Sequence, residues 1–152
     1  MATSVQFYHL LTTPLERALP KLLEKAYAGG FKTLLVADSE ERVEQLNQLL
    51  WTYDQDSFLP HGSEKDGQAE LQPILLSTRM DASPDAKLLL VTNGISADRP
   101  EAFERILDMF DGRDATVVEN ARTRWTTYKN ASCEVTYLRQ TESGGWEKKA
   151  VA

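Results

Sequence analysis

The sequence predicts a doubly wound α/β fold, in which a mostly parallel sheet carries helices on both faces. Two short apolar runs, at residues 32–37 and 87–91, lack the polar alternation of a half-exposed strand and are typical of strands buried on both faces. Segments with apolar residues at helical spacing, such as 15–26, stand between such runs. Strands and helices therefore alternate along the chain, and this alternation favours a parallel sheet.

The first strand–helix unit opens the chain. Residues 5–11 are rich in β-branched and aromatic side chains, which predicts a strand. The following helix is predicted to begin at Thr13, because Thr13 and Glu16 can form a capping box and Pro14 suits the first helical position. The glycine pair at 29–30 is predicted to end this helix.

The second unit joins the apolar strand at 32–37 to another helix. Asp38 and Glu41 form a second potential capping pair, and the apolar stripe that follows predicts a helix to about Trp51. Residues 52–84 carry several glycines and prolines, which predicts a loop region with short strands near 57–59 and 74–76.

The C-terminal half predicts the rest of the sheet. Residues 98–110 predict a helix, because their apolar residues recur at i, i+3, i+4 and i+7. Residues 115–118 predict a further core strand, and 119–131 predict the last helix. Residues 133–139 alternate well enough to predict a final strand.

The bulk composition limits the classes of function. The length suits one domain over residues 1–152, with 141–152 expected to form a loose C-terminal tail. A net charge of −6 disfavours a protein that neutralises nucleic-acid phosphates over its whole surface. Cys133 is the single cysteine, and no segment resembles a signal peptide or a membrane helix. We therefore expect a cytoplasmic protein without membrane contact, monomeric when alone.

The usual chemistry of this fold class is missing from the sequence. A dinucleotide site needs a glycine-rich first turn, so that backbone amides can approach the pyrophosphate, but residues 11–14 contain no glycine and include a proline. His9, His61 and Cys133 lie far apart, which argues against a metal site. Asp38 is better explained as a helix cap than as a catalytic carboxylate. We predict no catalytic residue, no metal and no cofactor.

Two groups of residues could carry binding instead. In the first, Trp51 ends a helix, and Phe58 and Pro60 follow an acidic loop. Large aromatic side chains in such a place often anchor a protein partner. The alternative is that Trp51 and Phe58 pack under the loop as part of the core.

The second group lies on the last helix. Arg122 and Lys129 fall about 20° apart on the helical wheel, and Trp125 lies one turn from Arg122. Such a stripe could bind an acidic peptide, with an arginine holding a terminal carboxylate, or it could stack a nucleic-acid base. The alternative is a solvated amphipathic helix with Trp125 and Tyr128 in the core.

At these two places the chain resembles the chi subunit family of the bacterial DNA polymerase III clamp-loader complex. Leu-Trp at 50–51 and Ser-Phe-Leu-Pro-His at 57–61 resemble one block of the family, and Ala-Arg-Thr-Arg-Trp at 121–125 with Tyr128 resembles another. An early strand with Phe-Tyr at 7–8 and the late Trp146 also fit, so that the resemblance spans nearly the whole chain.

The resemblance implies a Rossmann-like sheet without a nucleotide and a non-catalytic role. Proteins of this family pair with the psi subunit and bind the acidic C-terminal tail of single-stranded-DNA-binding protein, which ends in an apolar dipeptide with a free carboxylate. The implied contact with single-stranded DNA is therefore indirect.

Individual residues carry this implication. The family positions linked to psi match Trp51, Phe58 and Pro60. The tail-binding arginine of the family matches Arg122, and Trp125 stands where relatives often have another aromatic residue. Thr126 and Val118 depart from the pattern, and Arg124 or Lys129 is expected to compensate for the lost basic contact. The proposed tail-binding set is Arg122, Arg124, Trp125 and Lys129.

Two other classes of function remain open at this point. One is a nucleotide- or small-molecule-binding enzyme on the same doubly wound fold, which the missing glycine loop disfavours. The other is a direct binder of single-stranded DNA that stacks bases on Trp125 and Tyr128, which the negative charge disfavours.

Overall fold

A computed structural model describes residues 2–54, 59–92 and 94–151. Its strands are β1 (Ser4–Leu10), β2 (Thr33–Val36), β3 (Gly62–Ser63), β4 (Ile74–Ser77), β5 (Leu88–Thr92), β6 (Arg105–Asp111), β7 (Glu134–Gln140) and β8 (Trp146–Val151). Its α-helices are α1 (Leu15–Ala28), α2 (Glu40–Thr52) and α3 (Ala115–Asn130).

The strands form one sheet in the order β3-β4-β2-β5-β6-β1-β7-β8. All neighbouring strands pair in parallel except β7 and β8, which are antiparallel. The predicted α/β fold with a mostly parallel sheet is therefore confirmed. The strands predicted at 32–37, 74–76, 87–91 and 133–139 correspond to β2, β4, β5 and β7.

The two faces of the sheet carry separate cores. Alternate side chains of a strand point to opposite faces, so Tyr8 packs with Leu19 of α1 and Leu46 of α2 on one face. Phe7 packs with Ala121 and Tyr128 of α3 on the other. Burial of a large apolar side chain stabilises the fold by roughly 1.5–3 kcal/mol. These contacts set α3 firmly over β1 and its neighbours.

The helix predicted at 98–110 is wrong. Pro100–Ala102 forms a single 3-10 turn, and Arg105–Asp111 is strand β6 in the middle of the sheet. The strand is buried on both faces, so its apolar residues need not alternate. Asp108 interrupts the apolar run of β6. The apolar residues on either side of it therefore fall at helical spacing, which is why the sequence suggested a helix.

The strand predicted at 115–118 is also wrong, because α3 begins at Ala115. The Asp114 side chain caps this helix by accepting hydrogen bonds from the backbone N–H groups of Thr116 and Val117. A local cap of this kind satisfies amides that would otherwise lack partners, and it overrides the β-propensity of the two valines that follow.

The first two helices have different N-terminal caps from those predicted. The N-cap of α1 is Pro14, without a side-chain cap, and the Thr13 hydroxyl accepts a hydrogen bond from Gln140 instead. The N-cap of α2 is Ser39 rather than Asp38, and its hydroxyl accepts from the backbone N–H of Arg42 at 3.1 Å.

The C-terminal tail is not loose throughout. Residues 146–151 form β8, which pairs with β7. The Trp146 ring meets the Tyr8 ring edge to face at a centroid distance of 5.0 Å. Of the predicted short strand at 57–59, residues 57 and 58 lie outside the described residues. Within the described ranges, no helix has the length and apolarity needed to cross a membrane.

Candidate functional site

An open groove lies between α3 and the edge of the sheet, on the face that α3 covers. Its volume is about 410 Å³. We call it the α3 groove, and it is lined by His9, Arg122, Trp125, Tyr137, Arg139 and Lys149.

The periodicities of helix and strand bring these side chains together. Arg122 and Trp125 are three residues apart on α3, so they lie on the same side of the helix. Tyr137 and Arg139 are two residues apart on β7 and point to the same face. In the parallel register His9 of β1 lies directly beside Arg139. One helix face and three adjacent strands therefore build the groove.

Trp125 forms an aromatic wall of the groove, and neighbouring rings of the sheet pack against it. Trp125 is half-buried, and its ring lies 6.1 Å from the ring of Phe7 and 6.0 Å from that of Tyr137, measured between centroids. Phe7 and Tyr137 stack at 6.1 Å, with a 20° angle between their planes. Aromatic pairs at such distances stabilise one another by about 0.5–1.5 kcal/mol beyond the area that they bury. An apolar ligand side chain would therefore meet a preformed surface.

The rim of the groove is positively charged. Arg122, Arg139 and Lys149 are exposed. Lys149 lies 3.2 Å from Glu147, whereas Arg122 and Arg139 form no ion pair with any of the described residues. Two guanidinium groups are thus available for a carboxylate, which an arginine can bind through two parallel hydrogen bonds.

His9 forms a neutral part of the floor. Burial lowers the pKa of His9, a backbone hydrogen bond with Gly112 partly offsets this effect, and nearby Arg139 and Arg122 lower the pKa further. The His9 Nδ1 atom is hydrogen-bonded to the Tyr137 hydroxyl. The charge of the groove at neutral pH therefore comes from its arginine and lysine side chains.

Gly112 makes the position of His9 possible. A Cβ atom at residue 112 would lie 1.8 Å from the Cδ2 atom of His9 and 2.6 Å from the Leu10 carbonyl oxygen. Only glycine permits this close approach of the turn after β6 to the end of β1.

Arg124 does not belong to the groove, and its predicted contact with the tail needs correction. The residue is only 5% exposed. Its Nε and one terminal nitrogen donate hydrogen bonds to Asp108 of β6 at 2.7 and 3.0 Å. Two residues along a helix turn the side chain by about 200°, so Arg124 faces the sheet where Arg122 faces solvent.

Lys129 is exposed on α3 one turn beyond Trp125, and it lies outside the residues that line the groove. The sequence prediction missed four lining residues: His9, Tyr137, Arg139 and Lys149. The alternation of Tyr137 and Arg139 along a predicted strand was an available signal. Lys149 could not be placed, because β8 was expected to be a loose tail.

The second predicted group lies at the end of α2. Trp51 is 51% exposed, and its ring lies 4.6 Å from the ring of His61, between centroids. His61 is buried, with its Nδ1 atom 2.6 Å from the Leu59 carbonyl oxygen and its Nε2 atom 3.2 Å from the Asn47 carbonyl oxygen. Pro60 beside it is half-buried. Phe58, the third residue of the predicted group, lies outside the described residues.

The backbone amides of the turn between β1 and α1 already have a hydrogen-bond partner within the chain. The side-chain oxygen of Gln140 accepts hydrogen bonds from the backbone amides of Leu11, Thr12 and Thr13, at 3.0, 2.8 and 3.0 Å. In a dinucleotide-binding sheet the amides of this turn face the pyrophosphate. Here a neutral side chain satisfies them.

Comparison with known families decides the assignment. The family model described as DNA polymerase III chi subunit, HolC, matches residues 2–136. The chain belongs to this family. The matched region contains β1 and α3, and so it includes three residues of the α3 groove, His9, Arg122 and Trp125.

Individual relatives carry the same family name. A protein of Rickettsia prowazekii, named as a probable DNA polymerase III subunit chi, is 33% identical over 84 residues, which are 55% of this chain and 51% of that protein. The chain thus spans about half the length of this relative. The DNA polymerase III subunit chi of Escherichia coli is 23% identical over 117 residues, which are 76% of this chain and 79% of the relative. That of Haemophilus influenzae is 26% identical over 131 residues, 82% of this chain and 89% of the relative.

Proposed function

We propose that this chain is a non-catalytic accessory subunit of the DNA polymerase III clamp-loader complex in the cytoplasm. It binds the acidic C-terminal tail of single-stranded-DNA-binding protein in the α3 groove. It pairs with the psi subunit at the surface around Trp51 and Pro60, which we call the Trp51 surface. In this way it links the replisome to coated single-stranded DNA. The observation that carries the proposal is a pair of arginines, Arg122 and Arg139, that have no ion-pair partner among the described residues and lie beside the wall formed by Trp125.

The chemistry of the tail suits the α3 groove. A terminal carboxylate can accept two hydrogen bonds from one guanidinium, and Arg122 is the family arginine at this place. The apolar dipeptide that precedes the carboxylate can pack on the rings of Trp125 and Tyr137. One anchor and one carboxylate typically give micromolar affinity, about −8 kcal/mol. A subunit that must release its partner as replication proceeds needs an affinity of this order.

The attraction between the tail and this chain must come from charges close to the bound tail, and not from the net charge of the chain. The chain carries a net charge of −6 and the tail is acidic, so the two repel each other at long range. The cations of the groove rim supply the attraction at short range. Since exposed charges are screened by salt, the affinity should fall as the ionic strength rises.

The Trp51 surface supports pairing with psi. Trp51 leaves half of a large aromatic side chain in solvent, and such side chains are frequent anchors of protein interfaces. The residue stands at a family position linked to psi. Pro60 and Phe58 stand at the other two such positions.

The alternative of a nucleotide-binding enzyme is disfavoured by one specific contact. The Gln140 side-chain oxygen already accepts hydrogen bonds from the three backbone amides to which a phosphate would bind. The absence of a glycine in this turn points in the same direction.

Sedimentation velocity of this chain with the cognate single-stranded-DNA-binding protein tests the proposal. We expect a complex with the intact partner and none with a partner that lacks its C-terminal tail. Arg122→Glu should abolish the complex, whereas Arg99→Glu, the same charge change at a residue outside the groove, should retain it. A complex that survives both tail removal and Arg122→Glu would overturn the proposal.

A further inference from the structure

A second groove lies on the opposite face of the sheet. It runs between α1 and the turn that joins β7 to β8, and its volume is about 580 Å³. We call it the α1 groove, and its lining includes Arg17, Lys21, Leu22, Lys25, Leu138 and Trp146. Leu138 follows Tyr137 on β7, so its side chain points away from the α3 groove. The two grooves therefore share no surface.

Three cations form a stripe along the α1 groove. Arg17, Lys21 and Lys25 follow one another at four-residue spacing on α1, and all three are exposed. None of them forms an ion pair with another described residue. Glu16, the acidic residue beside Arg17, instead pairs with Arg42 of α2 at 3.5 Å.

This stripe is unusual in such a chain. Like charges four residues apart destabilise a helix by about 0.2–0.5 kcal/mol per pair, and the chain as a whole has a net charge of −6. Glu24, which lies between Lys21 and Lys25 in the sequence, does not line the groove and forms no ion pair with another described residue, so it does not neutralise the stripe. The stripe therefore points to an anionic ligand.

The floor of the α1 groove is apolar. Leu22, Leu138 and Trp146 are half-buried, so that each leaves part of its apolar surface in the groove. The Trp146 ring is held edge to face against Tyr8 at 5.0 Å. The groove thus offers a place for a bulky apolar side chain beside a row of positive charges.

We propose that the α1 groove binds an acidic peptide segment of a protein partner, with one bulky apolar residue of the segment on the floor. The cations are about 6 Å apart along the helix axis, and side chains on one side of an extended peptide recur every 6.6–6.8 Å, roughly. Alternate aspartates or glutamates can therefore meet successive cations. The contact needs no free carboxylate and does not depend on the function proposed for the α3 groove.

Single-stranded nucleic acid is the competing anion, and the geometry favours the peptide. Strand-binding proteins stack successive bases on several exposed aromatic rings. The aromatic residues that line the α1 groove are Tyr8, which is 8% exposed, and the half-buried Trp146. They do not form a row of exposed platforms.

The test uses a fluorescently labelled short peptide in which aspartates alternate with serines around one central leucine, acetylated and amidated so that neither end is charged. Fluorescence anisotropy should give saturable binding to the full chain, and a peptide with asparagine in place of every aspartate should not bind. Lys21→Glu with Lys25→Glu should weaken binding about tenfold or more, the sum of two reversed exposed contacts. Arg122→Ala should leave it unchanged.

Indole NMR signals locate the site. The chain has three tryptophans, and Trp→Phe variants assign their signals. The peptide should shift the signal of Trp146 and leave that of Trp125 unchanged. Lys21→Gln with Lys25→Gln, which keeps helix propensity high, provides a second variant if the charge reversal disturbs folding.

Three results of the peptide experiments would each overturn the proposal: no binding of the aspartate peptide, equal affinity in the charge-reversal variant, or a shift of Trp125 in place of Trp146. Tighter binding of an unlabelled oligothymidine competitor than of the peptide would identify a nucleic-acid surface and would overturn it as well. None of these results would contradict tail binding at Arg122.

Discussion

The Arg124 guanidinium donates two hydrogen bonds to the Asp108 carboxylate, at 2.7 and 3.0 Å, and the two side chains are only 6% and 1% exposed. This pair ties α3 to β6 across the core of one sheet face. Arg122, two residues earlier, points to solvent in the α3 groove. The two arginines of one sequence motif therefore have different tasks: one holds the helix, and the other is available to a partner.

Removal of Arg124 should destabilise the protein strongly. Arg124→Met leaves Asp108 buried without a partner, which typically costs about 3–5 kcal/mol. Urea unfolding measures the change. Replacing both residues, with Asp108→Leu in the Arg124→Met background, should recover much of the loss, because no unpaired charge remains. A single variant as stable as the wild type would contradict this account of the pair.

Because of this pair, Asp108 should contribute more to stability at acidic pH than at neutral pH, the opposite of an ordinary ion-paired carboxylate. Burial raises the pKa of Asp108 to about 6 and outweighs the two hydrogen bonds from Arg124, which lower it. Because the folded state holds this proton more tightly than the unfolded state, the contribution of Asp108 to stability is present below about pH 4 and is lost as the pH rises through about 6.

The comparison with Asp108→Asn isolates this effect. Between pH 4 and 7 the stability of the wild type relative to the variant should fall by about 2 kcal/mol, most of the effect that a shift of roughly two pKa units produces. The carboxyls of Glu64 and Asp111, whose pKa values are lowered mainly by arginine contacts, occur in both proteins and cancel. A stability difference that does not vary with pH would show that Asp108 does not titrate in this range.

Gly112→Ala should distort the floor of the α3 groove. The new Cβ atom would overlap the His9 ring and approach the Leu10 carbonyl oxygen, so the turn after β6 and the floor of the groove must shift. We expect a loss of about 1–3 kcal/mol in unfolding free energy and weaker binding of the tail. Gly145→Ala is the matched control, since its Cβ atom would meet nothing closer than 3.4 Å.

Trp51→Ala should separate the two proposed partners. Trp51 is half exposed, so the fold should persist while copurification with a coexpressed psi subunit is lost, as expected for an interface anchor worth 2 kcal/mol or more, roughly. Tail binding should be unchanged. Leu71→Ala, at another exposed apolar residue, should affect neither partner. Loss of both partners in Trp51→Ala would indicate a folding defect.

The sequence patterns predicted the sheet better than its individual elements. Continuous apolar runs identified β2 and β5, because a strand buried on both faces needs no polar residue. The same rule failed for β6, where Asp108 interrupts the apolar run. Among the described residues, the side-chain partner of Asp108 is Arg124, sixteen residues later in the chain. A contact of that kind cannot be inferred from local spacing.

The candidate site was predicted in part for a similar reason. The helical spacing of Arg122 and Trp125 placed both on one side of α3, and both line the groove. Arg139 and Lys149 reach the groove through the pairing of β7 and β8. This pairing was not predicted, because the sequence suggested a loose tail over residues 141–152. Periodicity also could not decide which way Arg124 points, because its direction depends on a buried acid in another element.

Fluorescence anisotropy of a labelled peptide that copies the C-terminal tail of the cognate single-stranded-DNA-binding protein tests the central claim most directly. The account predicts saturable micromolar binding that weakens with salt and is lost when the last residue of the peptide is removed. Arg122→Ala should reduce the affinity by about 1.5–3 kcal/mol, the contribution of hydrogen bonds to a charged group, and Lys129→Ala should have a smaller effect. Equal affinity in the wild type and in Arg122→Ala would contradict the assignment of the tail to the α3 groove.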